Sequence, residues 1–166
     1  MELLIVRHGP AGEREAWRAH GRPDIERPLT KDGKRKARAA ARGLARVVEK
    51  IDLVATSPWT RAAQTAELVA EVFDAKLVEF PELIPDRKFE DLLARLKTLS
   101  ERRVALVGHE PHLSRFISWL LTGRDHSILR LKKSQALLLD LKTLSPGAAE
   151  LVWSLPPRQL RALARA

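Results

Sequence analysis

Short apolar runs alternate along the chain with segments whose apolar residues recur at helical spacing. The apolar runs predict strands over 3–6, 53–56, 76–80 and 104–107, and the last third adds candidates over 136–141 and 151–155. Strands that alternate with helices are typical of βαβ units and a parallel sheet. We therefore expect an α/β fold with three α/β/α layers, a mostly parallel central sheet, and a single domain over 1–166.

The helical segments carry recognisable start and stop signals. Thr30 predicts the N-cap of a helix to about Glu49, and Ser57, followed by proline, predicts the cap of a helix to about Phe73. Further helices are predicted over about 89–99, from Pro111 to Gly123, and from the Pro156-Pro157 pair to the end. The stretch 10–28 lacks an apolar period, so we expect a long loop with at most a short turn around Trp17.

Composition narrows the class of protein. A chain of 166 residues with 45% hydrophobic residues can bury a self-sufficient core. The absence of cysteine excludes thiolate catalysis, cysteine-based zinc sites and iron–sulfur clusters. No apolar stretch approaches the roughly 20 residues that a membrane helix needs, and the N-terminus lacks a basic leader and a cleavage site. We expect a cytoplasmic protein without a membrane partner.

The charge suggests anionic partners, because 30 Lys and Arg against 21 Asp and Glu give a net charge of +9. Part of this excess positive charge forms a stripe along the first long predicted helix: Arg35, Arg38, Arg42 and Arg46. Such a stripe either binds nucleic acid or is a solvated face. We favour the solvated face, because no nucleic-acid-binding motif accompanies it and aromatic residues are only 5%.

Residues that can handle phosphate follow three of the predicted strands. The first strand runs into Arg7-His8-Gly9, the second into a turn that contains Arg61, and the fourth into Gly108-His109-Glu110. Ligands of open α/β sheets bind beyond the carboxyl ends of the strands. We therefore expect four side chains from distant parts of the sequence to converge on one crevice: Arg7, His8, Arg61 and His109.

Two histidines and two arginines are suited to phosphoryl transfer. A neutral imidazole can attack phosphorus and carry the phosphoryl group covalently, which splits hydrolysis into two easier steps. Neighbouring guanidinium groups keep that imidazole unprotonated and bind the phosphoryl oxygens, while a second histidine can hydrogen-bond the same oxygens. This scheme requires no metal and no cofactor.

These segments resemble the histidine phosphatase superfamily, also called phosphoglycerate mutase-like, and among its branches the short SixA-type phosphohistidine phosphatases. The resemblance extends along the chain through LLIVRHGPA, RPLTKDGKRKA, TSPWTRAAQTAE and VGHEPHLSRF. It implies that His8 is the nucleophile, that Arg7 and Arg61 bind the phosphoryl group, and that His109 completes a catalytic pocket. It also implies that Gly9 lets the backbone approach closely.

The sequence departs from the larger members of this family. They follow the RHG motif with Glu or Gln and then Thr, whereas Pro10 and Ala11 stand here. They also carry a catalytic glutamate, for which the nearest candidate is Glu82, in a short loop that resembles the SixA type. We do not expect Glu82 to be an equivalent proton donor. Imidazole is a better leaving group than an alkoxide, so a phosphoramidate substrate tolerates this difference.

The partner expected from this reasoning is a phosphorylated protein, with phosphohistidine as the group that is hydrolysed. A small phosphomonoester is the alternative substrate. A different class of function, a basic module that binds nucleic acid or another anion through an inactive pocket, also stays open, although nucleic acid is not our expectation.

Several side chains near these motifs have two interpretations. Trp59 belongs either to the rim of the crevice or to the core. His112 either joins the pocket or begins a helix, and we leave it out of the catalytic set. Lys132 and Lys133 either guide an anionic substrate to the site or belong to a solvated turn, which we favour. His20 and His126 are expected in exposed positions.

Overall fold

A single six-stranded sheet forms the centre of the computed structural model, which describes residues 1–166. Its strands are β1 (Glu2–Arg7), β2 (Leu53–Thr56), β3 (Lys76–Glu79), β4 (Arg103–Gly108), β5 (Ala136–Leu141) and β6 (Ala149–Leu155). They lie in the order β3-β2-β4-β1-β5-β6. The first four pair in parallel, and β5 pairs antiparallel with both β1 and β6. The predicted mostly parallel α/β sheet is confirmed.

The chain has six α-helices, and all except the first pack on the two faces of the sheet. They are α1 (Arg14–Ala19), α2 (Lys31–Leu44), α3 (Thr60–Phe73), α4 (Phe89–Lys97), α5 (His112–Thr122) and α6 (Pro157–Leu163). Two short 3-10 helices are added at Asp24–Glu26 and Pro81–Leu83. Helices α4 and α5 contribute to a core of 22 buried residues, and α2, α3 and α6 to a second core of 17. The expected three layers follow from this division.

Strand β1 shows how the sequence makes both cores. Leu3 and Ile5 belong to the first core, whereas Leu4 and Val6 belong to the second. Successive side chains of a strand point to opposite faces, so a central strand covered on both sides needs an unbroken apolar run. The same reason makes the central strands the easiest elements to recognise in the sequence.

Two predicted helix boundaries were wrong. Helix α2 begins as predicted, with the Thr30 hydroxyl accepting a hydrogen bond from the Gly33 N–H at 2.9 Å, but it ends at Leu44 rather than near Glu49. Residues 45–47 form a turn instead. Val47 and Val48 are β-branched, and such side chains have a lower helix propensity. Ser57 does not cap α3, which begins at Thr60 with Trp59 as N-cap. The Ser57 hydroxyl lies before the helix, where it contacts Nε2 of His109 and accepts from the Trp59 N–H.

The predicted loop over 10–28 contains more structure than one short turn. It holds α1 and the 3-10 helix Asp24–Glu26, and an isolated bridge pairs Ala11 with Leu29. The indole N–H of Trp17 donates to the carbonyl of Pro23 at 2.9 Å, which ties the two short helices together. No helix of the chain has the length and apolar character needed to cross a bilayer.

Candidate active site

The loops that follow β1, β2 and β4 emerge side by side, because β4 lies between β1 and β2 in the sheet. The register pairs Arg7 with Gly108 and Thr56 with Val107, so the three strands end at the same level. A cavity of about 570 Å³ opens at this edge. The four side chains predicted to converge all line it: Arg7, His8, Arg61 and His109.

His8 is buried, and one ring nitrogen is committed to a backbone contact. Its Nδ1 lies 2.7 Å from the carbonyl oxygen of Gly9. A carbonyl can only accept, so Nδ1 carries the proton and the lone pair of Nε2 is free. Burial lowers the pKa of His8 from 6.5 to about 3, although the Gly9 carbonyl opposes this, and the charges of Arg61 and Arg7 contribute. The ring is therefore neutral at physiological pH.

His109 lies next to His8, with 5.2 Å between the ring centroids. Its Nε2 is 2.9 Å from the hydroxyl oxygen of Ser57. Burial is the main cause that lowers the pKa of His109 to about 2, and the neighbouring His8 and Arg61 lower it as well. A neutral His109 has one N–H to donate, and the Ser57 contact decides which nitrogen carries it.

Arg61, in the first turn of α3, is only 2% exposed and is held by Asp24. Its Nη1 donates to the Asp24 carbonyl at 2.8 Å, and its Nη2 lies 3.1 Å from the Asp24 carboxylate. Burial lowers the pKa of Arg61 to about 10, against the effect of Asp24. Burial alone would raise the pKa of Asp24, but the hydrogen bond from Arg27 and the charge of Arg61 hold it below its usual value.

Arg7 reaches the cavity from the end of β1. Its Nη1 donates to the carbonyl of Leu131 at 2.6 Å. Burial lowers the pKa of Arg7, while the charge of Glu110 opposes that shift. Glu110 itself is engaged at both oxygens, by the backbone N–H of Leu131 at 3.0 Å and by the hydroxyl of Ser114 at 2.6 Å.

Three buried nitrogens of these cavity-lining side chains have no hydrogen-bond partner within the protein: Arg7 Nε, Arg61 Nε and His109 Nδ1. The nitrogens of both arginines are donors, and unpaired buried donors are costly. Such donors, in a cavity with six cationic side chains against four carboxylates, suit a small anion rich in oxygen. No group of three or more histidine, aspartate or glutamate side chains is placed to hold a metal ion.

The structure shows where the side chains with two interpretations lie. Trp59 lies at the cavity, with its ring 4.9 Å from that of His109 and 4.8 Å from the guanidinium of Arg61. His112 is buried outside the cavity, against Phe89. Glu82 does not line the cavity, whereas Lys133 does. His20 and His126 are exposed, as expected.

Three residues that were not predicted from the sequence hold the site from outside the strand ends. Asp24 and Arg27 come from the stretch that was predicted as a loop, and Arg27 is only 7% exposed. Thr65 accepts a hydrogen bond from the Gly9 N–H at 2.9 Å and donates to the Arg61 carbonyl at 2.7 Å. The sequence feature that could have identified this pair is the opposite charge of Asp24 and Arg27, three positions apart in a stretch without an apolar period.

Gly9 packs closely against the protein. A side chain there would bring its Cβ to 3.1 Å from the Cβ of Ala37 and 3.3 Å from Leu29. Glycine at this position is explained by tight packing between the loop after β1 and helix α2.

Comparison with known proteins gives consistent matches. Residues 3–85 match the model of the histidine phosphatase superfamily (branch 1). An uncharacterized protein of Picosynechococcus sp. is 32% identical over 141 residues, 81% of each chain. Phosphohistidine phosphatase SixA of Escherichia coli (strain K12) is 27% identical over 166 residues, 97% of each chain. A structure of the protein histidine phosphatase SixA complexed with tungstate superimposes with a TM-score of 0.79 at 27% identity, covering 96% of this chain and 99% of that one.

Proposed function

This chain belongs to the histidine phosphatase superfamily, and we propose that it is a phosphatase that hydrolyses phosphohistidine on a protein through a phosphorylated intermediate on His8. The family assignment supports phosphatase activity, and the likeness to SixA phosphohistidine phosphatases supports the choice of substrate. The observation that carries the proposal is the hydrogen bond between His8 Nδ1 and the Gly9 carbonyl, which leaves the Nε2 lone pair free in a side chain that lines the cavity.

In the first step, Nε2 of His8 forms a bond to phosphorus as the phosphorus–nitrogen bond of the substrate breaks. The electron pair of the broken bond stays on the substrate imidazole. In the second step, water attacks the phosphorus on His8 and loses a proton to the solvent, inorganic phosphate leaves, and the bonding pair returns to Nε2. The low pKa of His8 keeps Nε2 unprotonated before the first step and makes His8 a good leaving group in the second.

The arginines and the second histidine stabilise the charge on the transferred group. The guanidinium groups of Arg7 and Arg61 are fixed by Leu131 and Asp24, so little reorganisation is needed when the phosphoryl group binds. His109 donates its N–H to a phosphoryl oxygen. These four assignments make His8 and His109 catalytic residues and Arg7 and Arg61 phosphoryl-binding residues.

The carboxylates of the cavity favour a leaving group that needs little help. Asp24 is held ionised by Arg27 and Arg61, and both oxygens of Glu110 already accept hydrogen bonds. Glu13 and Asp86 are exposed at the cavity rim. No carboxylate of this cavity is therefore both buried and free to protonate an alkoxide. An imidazole leaving group picks up its proton near neutral pH without a dedicated acid.

Rapid-quench labelling tests the intermediate. A protein phosphorylated on histidine with a radioactive phosphoryl group is mixed with the native enzyme, and the enzyme is isolated within the first turnover. We expect label on the native enzyme that survives alkali, is lost in acid, and is absent from His8→Ala. Full activity in His8→Ala, with no label on the native enzyme, would overturn the mechanism.

A substrate panel tests the specificity. We expect kcat/KM for a phosphohistidine protein to exceed that for phosphorylated sugars and other small phosphomonoesters by orders of magnitude. A small phosphomonoester that surpasses the phosphoprotein to the same extent would replace it as the substrate. Turnover of neither would leave the anion-binding module as the better account.

A further inference from the structure

A second cavity, of about 610 Å³, lies between helices α2 and α6 and shares no lining residue with the candidate active site. Eight of its ten lining residues are Lys or Arg, and the other two are Ala39 and Ala164. Three of the cations have carboxylate partners on the protein: Arg35 and Lys36 with Asp32, and Arg38 with Glu71. Five have none, and we call them the basic groove: Lys31, Lys34, Arg42, Arg161 and Arg165.

The groove forms because α2 and α6, which are far apart in the sequence, pack with their backbones in contact. A Cβ on Gly43 would lie 1.8 Å from the Leu160 carbonyl oxygen, so the absence of a side chain lets α6 lie directly on α2. This contact places Arg161 and Arg165 beside the cations of α2. Of the arginine stripe on α2, which the sequence presents as a solvated face, only Arg42 belongs to the basic groove. The two arginines at the C-terminus add positive charge beside it that no carboxylate of the protein neutralises.

One end of the groove adjoins the loop that carries the proposed nucleophile. The Thr30 N–H donates to the Pro10 carbonyl at 3.1 Å, and the Cα of Gly33 packs on the same carbonyl, two residues after His8. From this end the cations extend along α2 from Lys31 to Arg42, about 16 Å at 1.5 Å per residue. A macromolecule with a group bound in the active site can therefore reach the groove with its neighbouring surface.

We propose that the basic groove of α2 and α6 docks an acidic face of the phosphorylated protein substrate. The proposal rests on the proposed function and adds a substrate-binding surface outside the catalytic cavity. Charge of one sign that the fold leaves unpaired steers an oppositely charged partner and raises its association rate. Nucleic acid is a poorer match, because no aromatic or amide side chain lines the groove to stack on or read bases.

Two variants of equal charge change separate the groove from the general charge of the protein. The groove variant replaces Lys31, Lys34, Arg42, Arg161 and Arg165 with glutamine. The control variant replaces five exposed cations remote from the groove with glutamine: Lys76, Lys97, Arg102, Arg124 and Lys142. Circular dichroism and thermal unfolding of both variants establish that each is folded before the kinetic comparison.

The substrates are an acidic histidine phosphotransfer domain phosphorylated on histidine, and phosphoramidate as a small substrate. For the groove variant at low salt we expect kcat/KM on the domain to fall about tenfold to a hundredfold, through KM, with turnover of phosphoramidate unchanged. The control variant keeps both activities. Added salt lowers kcat/KM of the native enzyme on the domain but has little effect on the groove variant. Equal kcat/KM on the domain for native and groove variant would overturn the docking proposal.

Direct binding distinguishes failure of docking from failure of the proposed function. The unphosphorylated domain is titrated into each protein, and we expect binding that the groove variant loses and the control keeps. If the native enzyme does not hydrolyse the phosphorylated domain, the proposed function fails, whatever the binding shows. If a short RNA or vesicles of anionic phospholipid bind the groove at physiological salt while the domain does not, the docking proposal fails and the groove serves that other partner.

Discussion

The carboxylate of Asp24 lies 3.1 Å from Nη2 of Arg61, and the carbonyl of Asp24 accepts from Nη1 of the same side chain at 2.8 Å. Asp24 also accepts from Arg27 at 2.8 Å. One acidic residue thus neutralises two guanidinium groups that are almost fully buried, in the cavity where a phosphoryl group is expected to bind.

Asp24→Asn tests how much this arrangement contributes to stability. The amide keeps the shape but removes the negative charge, which leaves Arg27 and Arg61 buried without compensation. We expect the free energy of unfolding to fall by about 3 kcal/mol, because removing one partner of a buried ion pair strands the other charge. Denaturant unfolding at neutral pH measures the change.

Asp32→Asn is the matched control, since Asp32 also contacts two cations but lies on the exposed side of α2. Its loss is expected to leave the free energy of unfolding almost unchanged, because ion pairs between exposed side chains contribute little to stability. A similar loss in both variants would contradict the view that burial makes the Asp24 contacts important.

Ser57→Ala tests the contact between Ser57 and His109. The Ser57 hydroxyl oxygen lies 2.9 Å from Nε2 of His109, and Nδ1 of His109 has no hydrogen-bond partner within the protein. We expect the hydroxyl to donate to Nε2. His109 then carries its own proton on Nδ1. Without the hydroxyl this tautomer is no longer fixed, and we expect kcat to fall about tenfold, a loss of roughly 1.4 kcal/mol.

Nitrogen-15 chemical shifts of the His109 ring provide a readout that a simple packing defect would not move. Protonated Nδ1 in the native protein and a mixture of tautomers in Ser57→Ala are expected, with recovery in Ser57→Thr, which restores a hydroxyl. A native protein with protonated Nε2 would reverse the direction of the hydrogen bond and refute the assignment.

The two site histidines predict how stability depends on pH. Burial lowers the pKa of His8 to about 3 and of His109 to about 2, whereas an unfolded chain titrates them near 6.5. Between pH 3 and pH 6.5 the unfolded state binds more protons than the folded state. The two histidines therefore do not lower the free energy of unfolding above pH 6.5, and they lower it progressively as the pH falls toward 3. Each site contributes at most about 1.4 kcal/mol per pH unit in this range.

Thermal unfolding between pH 4 and pH 7 checks this dependence. His8→Asn removes one of the groups and is expected to show a shallower decline of the unfolding free energy than the native protein. A native protein whose stability is the same at pH 4.5 and pH 7 would be incompatible with two buried neutral histidines.

Gly43→Ala tests the close contact between α2 and α6. In a free helix this change stabilises by about 1 kcal/mol, because alanine is the better helix former. Here the new methyl group would lie 1.8 Å from the Leu160 carbonyl oxygen, so the helices must separate. We expect a net destabilisation of about 1–3 kcal/mol, measured by denaturant unfolding.

Gly12→Ala provides the comparison, because a Cβ at Gly12 meets no atom within 4 Å. Its effect on the free energy of unfolding is expected within about 0.5 kcal/mol. If Gly43→Ala were neutral or stabilising, the backbone contact between the two helices could not be as close as described.

The parts of the structure that the sequence predicts are those with a local signal. Strands β1 and β4 carry unbroken apolar runs because both faces are covered, and the end of each run locates His8 and His109. The role of Ser57 was missed because Ser-Pro is also the signature of a helix start, and its true partner is 52 positions away. The contact between Asp24 and Arg61 spans 37 positions and follows no periodicity.

The acceptor that holds His8 is the carbonyl of its own neighbour, Gly9, and not a carboxylate. Because the acceptor is a backbone carbonyl, it does not titrate, and no side-chain substitution removes it. Substitution of another residue cannot switch the tautomer of the nucleophile directly, and selection could alter it only by moving the backbone itself. The orientation of His8 thus depends on the main chain of the loop. Replacing the peptide bond after Gly9 by an ester would weaken the acceptor, which a side-chain substitution does not do.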